Sequence, residues 1–172
     1  MQSIVWESVD RIPGFMSRGE CDWLAEKAST AAQWTEIGAY CGRSTLCVAL
    51  HLPKGGSLRI IDTNLGTISR SGQTLFTTYL EIVQRRPDLE IIMARIDSAV
   101  AASRLPDSDV VFLDGAHHYE QVSADIRAWG PKCRLLCGHD FNPPDWPGVV
   151  QAVKELIPCY AVVAGSIWER QI

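Results

Sequence analysis

Apolar and polar positions alternate along this chain in two rhythms, and the rhythms themselves alternate. Cys21, Leu24, Ala25 and Ala28 recur at helical spacing, and Ser17-Arg18-Gly19-Glu20 ahead of them fits a capping box with Met16 and Cys21 in staple positions. A short apolar strand then runs through Trp34 to Ile37, and a helix opens at Ser44. Leu58-Arg59-Ile60-Ile61 reads as a second strand. Leu75, Phe76, Tyr79, Leu80 and Val83 mark an amphipathic helix that Pro87 ends. A third strand covers Leu89 to Met93, followed by a short helix through Val100 and Ala101. Val110-Val111-Phe112-Leu113 is a continuous apolar run, as expected of a strand buried on both faces of a parallel sheet. Tyr119, Val122, Ile126 and Trp129 give the next helix, closed by Gly130-Pro131. Leu135-Leu136-Cys137 is a fifth strand, and a proline-rich loop follows from Asn142 to Gly148. A helix carrying Val149, Val150, Val153 and Leu156 leads to two short strands, Tyr160 to Val163 and Ile167 to Arg170.

Strand and helix alternate without repeat, low-complexity tract or linker. That pattern predicts a three-layer α/β fold with a mostly parallel sheet. At 172 residues the chain is read as one domain, 1–172, with residues 1–33 a helical lead-in. An apolar fraction of 47% with 21% charged residues excludes a disordered chain. The net charge of −4 and an isoelectric point near 5.5 argue against salt-driven binding to nucleic acid. No apolar run reaches the roughly 20 residues of a membrane span, and the first residues lack a secretory pattern, so a cytoplasmic protein is expected. Six cysteines, none in Cys-x-x-Cys spacing, read as reduced thiols: Cys47, Cys133, Cys137 and Cys159 lie in apolar runs, and Cys41 is expected to line a site rather than react in one.

The chemistry concentrates where strands end. Glu36-Ile37-Gly38-Ala39-Tyr40-Cys41-Gly42-Arg43-Ser44 closes the first strand with Glu-x-Gly-x-x-x-Gly. Glycines there let backbone pass close to a ligand, and the helix behind points its free N–H groups into the same space. Asp62 follows Gly42 by 20 residues at the end of the second strand, placed to hold a ribose hydroxyl pair. The glycine spacing departs from the Gly-x-Gly-x-x-Gly of nicotinamide enzymes and suits a nucleoside without a pyrophosphate, which points to S-adenosylmethionine. Asp97 and Ser98 can cap the short helix, contact adenine, or do both.

Asp114 and Asp140 each end an apolar strand, and strands four and five are neighbours in such a fold, so the two carboxylates should converge. Two anions held together call for a cation or a proton between them. His117, three residues past Asp114, can face the same cleft as a general base. The rival is that both aspartates are strand-end caps. His51 and His118 read as surface or helix-end residues. Trp146 and Phe141 form either a wall of an acceptor pocket or packing against the neighbouring helix.

In these landmarks the chain resembles the class I S-adenosylmethionine-dependent methyltransferases. It is most similar to the branch holding metal-assisted sugar O-methyltransferases and cephalosporin hydroxylase-like proteins. The likeness runs from Ile12 to about Val153 and is carried by Glu36-Ile37-Gly38 to Thr45, Asp97-Ser98, Asp114-Gly115-Ala116-His117 and Gly138-His139-Asp140-Phe141. It implies the Rossmann-like methyltransferase fold, a seven-stranded sheet with the last strand antiparallel. By resemblance, Glu36, Gly38, Ala39, Tyr40 and Gly42 line the methionine half of the cofactor and Ser44 meets its carboxylate. Asp62 takes the ribose, Asp97 and Ser98 sit at the adenine, and Asp114 borders the cofactor. His117 and Asp140 are the catalytic pair, with His117 deprotonating an acceptor hydroxyl. A divalent cation, Mn²⁺ or Mg²⁺, would sit on Asp114, His139 and Asp140. His139 departs from those relatives, which usually carry a carboxylate there, and an imidazole moves the preference from Mg²⁺ towards Mn²⁺, Fe²⁺ or Zn²⁺. The expected activity is methyl transfer to oxygen on a small-molecule or sugar hydroxyl. The alternatives are a non-catalytic cofactor- or partner-binding member and, disfavoured by the glycine spacing, a nicotinamide-dependent oxidoreductase. The expected partner is the small-molecule acceptor, with no nucleic acid and no membrane, and the sequence leaves a homo-oligomer open.

Overall fold

The computed structural model describes residues 2–65 and 68–170. Among the described residues, seven α-helices and seven β-strands follow the alternation of the sequence: α1 (Gln2–Arg11), α2 (Arg18–Ala28), β1 (Gln33–Ile37), α3 (Arg43–His51), β2 (Ser57–Ile61), α4 (Leu75–Arg85), β3 (Glu90–Ala94), α5 (Ser98–Arg104), β4 (Ser108–Leu113), α6 (Tyr119–Trp129), β5 (Cys133–Gly138), α7 (Pro147–Leu156), β6 (Tyr160–Ala164) and β7 (Ile167–Arg170). The capping box at Ser17 is present: its hydroxyl accepts from the Glu20 N–H, and Glu20 Oε2 accepts the Ser17 N–H. Within the helical lead-in expected over residues 1–33, the sequence pattern delimited α2 but not α1.

The strands form one sheet in the order β3-β2-β1-β4-β5-β7-β6. β7 pairs antiparallel with both β5 and β6, while β1 to β5 pair in parallel. The chain reverses its direction of winding between β1 and β4, which opens a crevice at the carboxyl ends of those strands. Register makes that edge even. Ile37 pairs with both Ile61 and Leu113, Ile61 with Ala94, and Leu113 with Gly138. The residues that follow, Gly38, Asp62, Asp114 and His139, therefore emerge at one level. Asp109 helps hold the opposite edge, its Oδ2 accepting the N–H groups of Ala32 and Gln33 at 2.7 and 3.0 Å.

Strand pleating divides the core in two. Val110 and Phe112 face the side covered by α1 to α4, whereas Val111 and Leu113 face the side covered by α5 to α7. Trp34 packs on Phe112 in the first core, and Trp129 and Trp168 lie fully buried in the second. Truncating an aromatic buried on this scale costs about 3–5 kcal/mol.

Candidate active site

A cleft of about 760 Å³ opens at the carboxyl edge, within the size range of small-molecule sites. Its floor is the turn after β1. Gly38 has φ of 82° and lies so close to the Asp114–Gly115 backbone that a Cβ would overlap it. Only glycine lets the two loops meet there. Gly38, Ala39, Tyr40 and Ser44 line the cleft, and Arg43 joins them. Gly42 does not. It sits beneath the turn as the N-cap of α3, against Thr78.

Glu36 also stands behind the wall rather than in it. It is fully buried, and its two oxygens accept the hydroxyl protons of Ser44 and Thr45, each at 2.5 Å. Burial pushes its carboxyl up to about 8, against the pull of those two hydroxyls. Glu36 thus clamps α3 to β1 and reaches the cleft only through Ser44. Asp62 faces the cleft and ties the turns together, Oδ2 accepting the Ala39 N–H at 2.9 Å and Oδ1 the Asn64 N–H at 2.7 Å. Each oxygen keeps a further lone pair for a ligand hydroxyl.

At the far end Asp97 caps α5, accepting the Val100 N–H at 3.1 Å. Ser98 accepts the indole N–H of Trp129 at 2.8 Å and hydrogen-bonds Asp125. Asp125, on α6, also lines the cleft, and burial holds its carboxyl above the usual range.

The centre is a cluster of charge. His117 Nε2 lies 2.7 Å from Asp140 Oδ2, and its ring stacks on Trp146 with centroids 4.0 Å apart. His139 Nδ1 lies 3.2 Å from Asp140 Oδ1 and 3.4 Å from Asp114 Oδ1, and its Nε2 lies 3.0 Å from Glu20 Oε1. Burial alone would lower the His139 pKa, but Asp114, Asp140 and Glu20 around the ring push it up to about 12. Burial raises the Asp114 carboxyl, partly countered by His139. For Asp140 burial is outweighed by His139 and His117, and its carboxyl titrates low. Asp114, His139 and Asp140 each offer one ligand atom, all within 4.8 Å of one another. Tyr40 and Asp140 both adopt left-handed backbone, φ 49° and 63°, and such strain concentrates at functional sites.

Several sequence expectations need correction. Cys41 does not line the cleft; it is fully buried and turns its thiol to the Gln73 carbonyl. Cys159 is exposed, because it falls in the turn before β6 rather than within a strand. Phe141 packs on Tyr160, leaving Trp146 alone of that pair at the cleft. His118 is exposed at the start of α6, as expected of a helix-end residue, yet borders the cleft. Arg43, Asp125 and Glu20 were missed. Helix spacing marks none of them, although Glu20 stood in plain view as the acid of a capping box.

An open α/β sheet with a cleft at its switch point, a glycine turn after β1 and an acid at the end of β2 is the arrangement of a nucleotide- or nucleoside-binding α/β protein. A family model described as a methyltransferase domain matches residues 35–139, and the chain belongs to that family, within the class I S-adenosylmethionine-dependent methyltransferases. A sequence search of curated proteins finds no match. Among solved structures, the O-methyltransferase from Bacillus cereus in complex with S-adenosylhomocysteine superposes with a TM-score of 0.64 at 17% identity, over 97% of this chain and 88% of that one. The O-methyltransferase TomG from Streptomyces achromogenes, involved in tomaymycin synthesis and solved with S-adenosylmethionine, gives 0.63 at 17% over 96% and 84%. A precorrin-6y C5,15-methyltransferase from Geobacter metallireducens gives 0.67 at 11% over 94% and 96%. Identities this low carry the fold and not the acceptor. No helix among the described residues is long and apolar enough to cross a membrane.

Proposed function

We propose that this methyltransferase acts on oxygen, methylating a hydroxyl of a small molecule such as a sugar. The observation that carries the reading is the 2.7 Å pairing of His117 with Asp140 in the wall of the cleft. A base oriented by a carboxylate is what proton removal from a hydroxyl needs, and methyl transfer to an already nucleophilic centre does not. With Nε2–H donated to Asp140, Nδ1 of His117 keeps the lone pair that accepts the acceptor's proton. Bound S-adenosylmethionine would supply the electrophilic methyl group and take up the C–S bonding electrons at its sulfur. The residues' own work is to hold the hydroxyl in place, take its proton at His117 Nδ1 and exclude water.

In this reading the Gly38–Tyr40 backbone follows the methionine half. Ser44 and Arg43, at the positive end of α3, face its carboxylate. Asp62 takes both ribose hydroxyls, and Asp97 with Ser98 faces the adenine. Asp114 separates cofactor from acceptor, and Trp146 with His117 forms one acceptor wall. The complete cleft and the intact His117–Asp140 pair favour turnover over a non-catalytic binding role. Six free thiols suit the cytoplasm.

The residues also fit a divalent cation. Asp114, His139 and Asp140 supply two carboxylates and one ring nitrogen, and the Glu20 carboxylate on the other ring nitrogen is the support that metal-bound histidines commonly have. Such an ion would stabilise negative charge on the acceptor oxygen. The mixed donor set favours Mn²⁺ over Mg²⁺.

The test is incubation with S-adenosylmethionine labelled in its methyl group and a panel of sugars, phenols, amines and thiols, with NMR of the products. An O-methyl product supports the reading, and methyl transfer confined to nitrogen, sulfur or carbon overturns it.

A further inference from the structure

Glu20 lies in α2, outside the 35–139 segment that matches the family, and 119 positions before the ring it touches. Its contacts exceed what a helix cap requires. Oε2 accepts the Ser17 N–H at 2.7 Å, which completes the capping box. Oε1 turns the other way and meets His139 Nε2 at 3.0 Å, the Ser166 N–H at 2.8 Å and the Ser166 hydroxyl at 3.1 Å. A capping glutamate ordinarily sits at an exposed helix start, whereas Glu20 is 5% exposed and His139 6%. The β6–β7 turn closes directly over the carboxylate, since a Cβ on Gly165 would overlap it. Apart from the ring, Glu20 is held from two sides, the α2 cap and the β6–β7 turn, and so cannot follow the ring; the ring follows it.

We propose that Glu20 is a positioning residue of the active site: it holds Nε2 of His139 and thereby aims Nδ1 into the gap between Asp114 and Asp140. The proposal rests on the reading of that gap as the place where the acceptor is activated. A histidine ring has two nitrogens, and the partner of one decides what the other presents. With Nε2–H given to Glu20, Nδ1 faces Asp140 and Asp114 at 3.2 and 3.4 Å. There it serves either as donor to both carboxylates or as ligand to an ion they share. Rotating the ring by half a turn would exchange the nitrogens for carbons and break contacts on both sides. Glu20 prevents that rotation and keeps a ring nitrogen, rather than a carbon, facing the two carboxylates.

The experiment uses the full chain labelled with ¹⁵N-histidine and bound to S-adenosylhomocysteine. The His139 signals are assigned by their loss in His139→Gln. In the wild type, Nε2 should carry a slowly exchanging proton shifted far downfield by the carboxylate. Glu20→Gln keeps the size and the capping acceptor but removes the charge, and should move that proton upfield. Glu20→Ala should lose the slow exchange and weaken Mn²⁺ binding by about 10–100-fold, with Glu20→Gln recovering part. S-adenosylhomocysteine affinity should be unchanged in both, because its contacts lie on other strand ends. A freely exchanging Nε2 proton in the wild type, or His139 signals unmoved in Glu20→Gln, would overturn the assignment and leave Glu20 a helix cap. If Glu20→Ala does not fold, the Glu20→Gln spectrum decides alone. If the wild type binds no ion, the cation reading falls while the ring signals still test Glu20.

Discussion

His117 meets Asp140 at 2.7 Å, and Asp140 reaches that position from left-handed backbone with φ of 63°. Aspartate tolerates this conformation better than most residues, but it still costs of order 1–3 kcal/mol. The surroundings enforce it. Asp140 Oδ1 faces His139, and the next residue, Phe141, donates its N–H to the Ser166 carbonyl at 2.9 Å. The twist at residue 140 lets consecutive residues serve different partners, His139 turned inward to Glu20 and Asp140 outward to His117.

His117→Ala should lower turnover by about 10²–10⁴-fold if the ring is the general base. S-adenosylhomocysteine affinity should not change, because in this reading the ring faces the acceptor rather than the cofactor. Steady-state kinetics beside calorimetry checks both. A variant that keeps its rate would leave Asp140 orienting the acceptor without a proton relay.

S-adenosylhomocysteine at 100 times its dissociation constant should stabilise the wild type by about 2.7 kcal/mol. Asp62→Ala should lose most of that gain. It should also lower the ligand-free melting point, since Asp62 accepts the N–H groups of Ala39 and Asn64, and losing such bonds costs about 1–3 kcal/mol. The ligand-induced shift, not the absolute melting temperature, is the measure. Equal shifts in both proteins would remove Asp62 from the cofactor site.

The strand-end landmarks were legible because they are local. A βα turn announces itself by glycine and acid within a few residues, and register then brings Asp62, Asp114 and His139 to one edge. Side-chain direction was not legible. Glu36 and Cys41 belong to the turn in sequence, yet one faces α3 and the other the Gln73 carbonyl, and neither lines the cleft. Contacts delivered by packed helices were hidden for a different reason. Glu20, Arg43 and Asp125 acquire their partners only once α2, α3 and α6 dock, and no spacing within a helix encodes what lies opposite.

Glu36 should give stability a measurable pH dependence. Its carboxyl is raised from 4.5 to about 8 in the folded protein, so between those values the native state holds a proton that the unfolded chain has lost. Stability from this group is therefore complete below about 4.5, falls as pH rises towards 8, and is flat above. His139, raised from 6.5 to about 12, acts in the same direction over a higher window. Only the difference from Glu36→Gln isolates Glu36. Melting curves from pH 5 to 8 should fall more steeply for the wild type than for the variant. Parallel curves would mean that Glu36 stays ionised, held by the Ser44 and Thr45 hydroxyls.

The charge cluster makes the sharpest demand on experiment, because in the cation reading an ion would compete with a proton for the same gap. Asp114 and Asp140 carry like charge, and His139 Nδ1 faces both. Without an ion, a protonated ring donates from Nδ1 towards them; with one, Nδ1 would give its lone pair instead and a proton would be released. Titration calorimetry with Mn²⁺ and Mg²⁺, with and without S-adenosylhomocysteine, should show Mn²⁺ binding the more tightly, because one ligand is imidazole. Repeating it in two buffers of different ionisation enthalpy should reveal the released proton. Asp140→Asn removes an anionic ligand and should weaken the ion while leaving the Asp62 end of the cleft intact. No heat from either ion in any form would end the cation reading. The gap would then belong to His139 as a fixed cation, bridging two carboxylates while His117 alone handles the acceptor's proton.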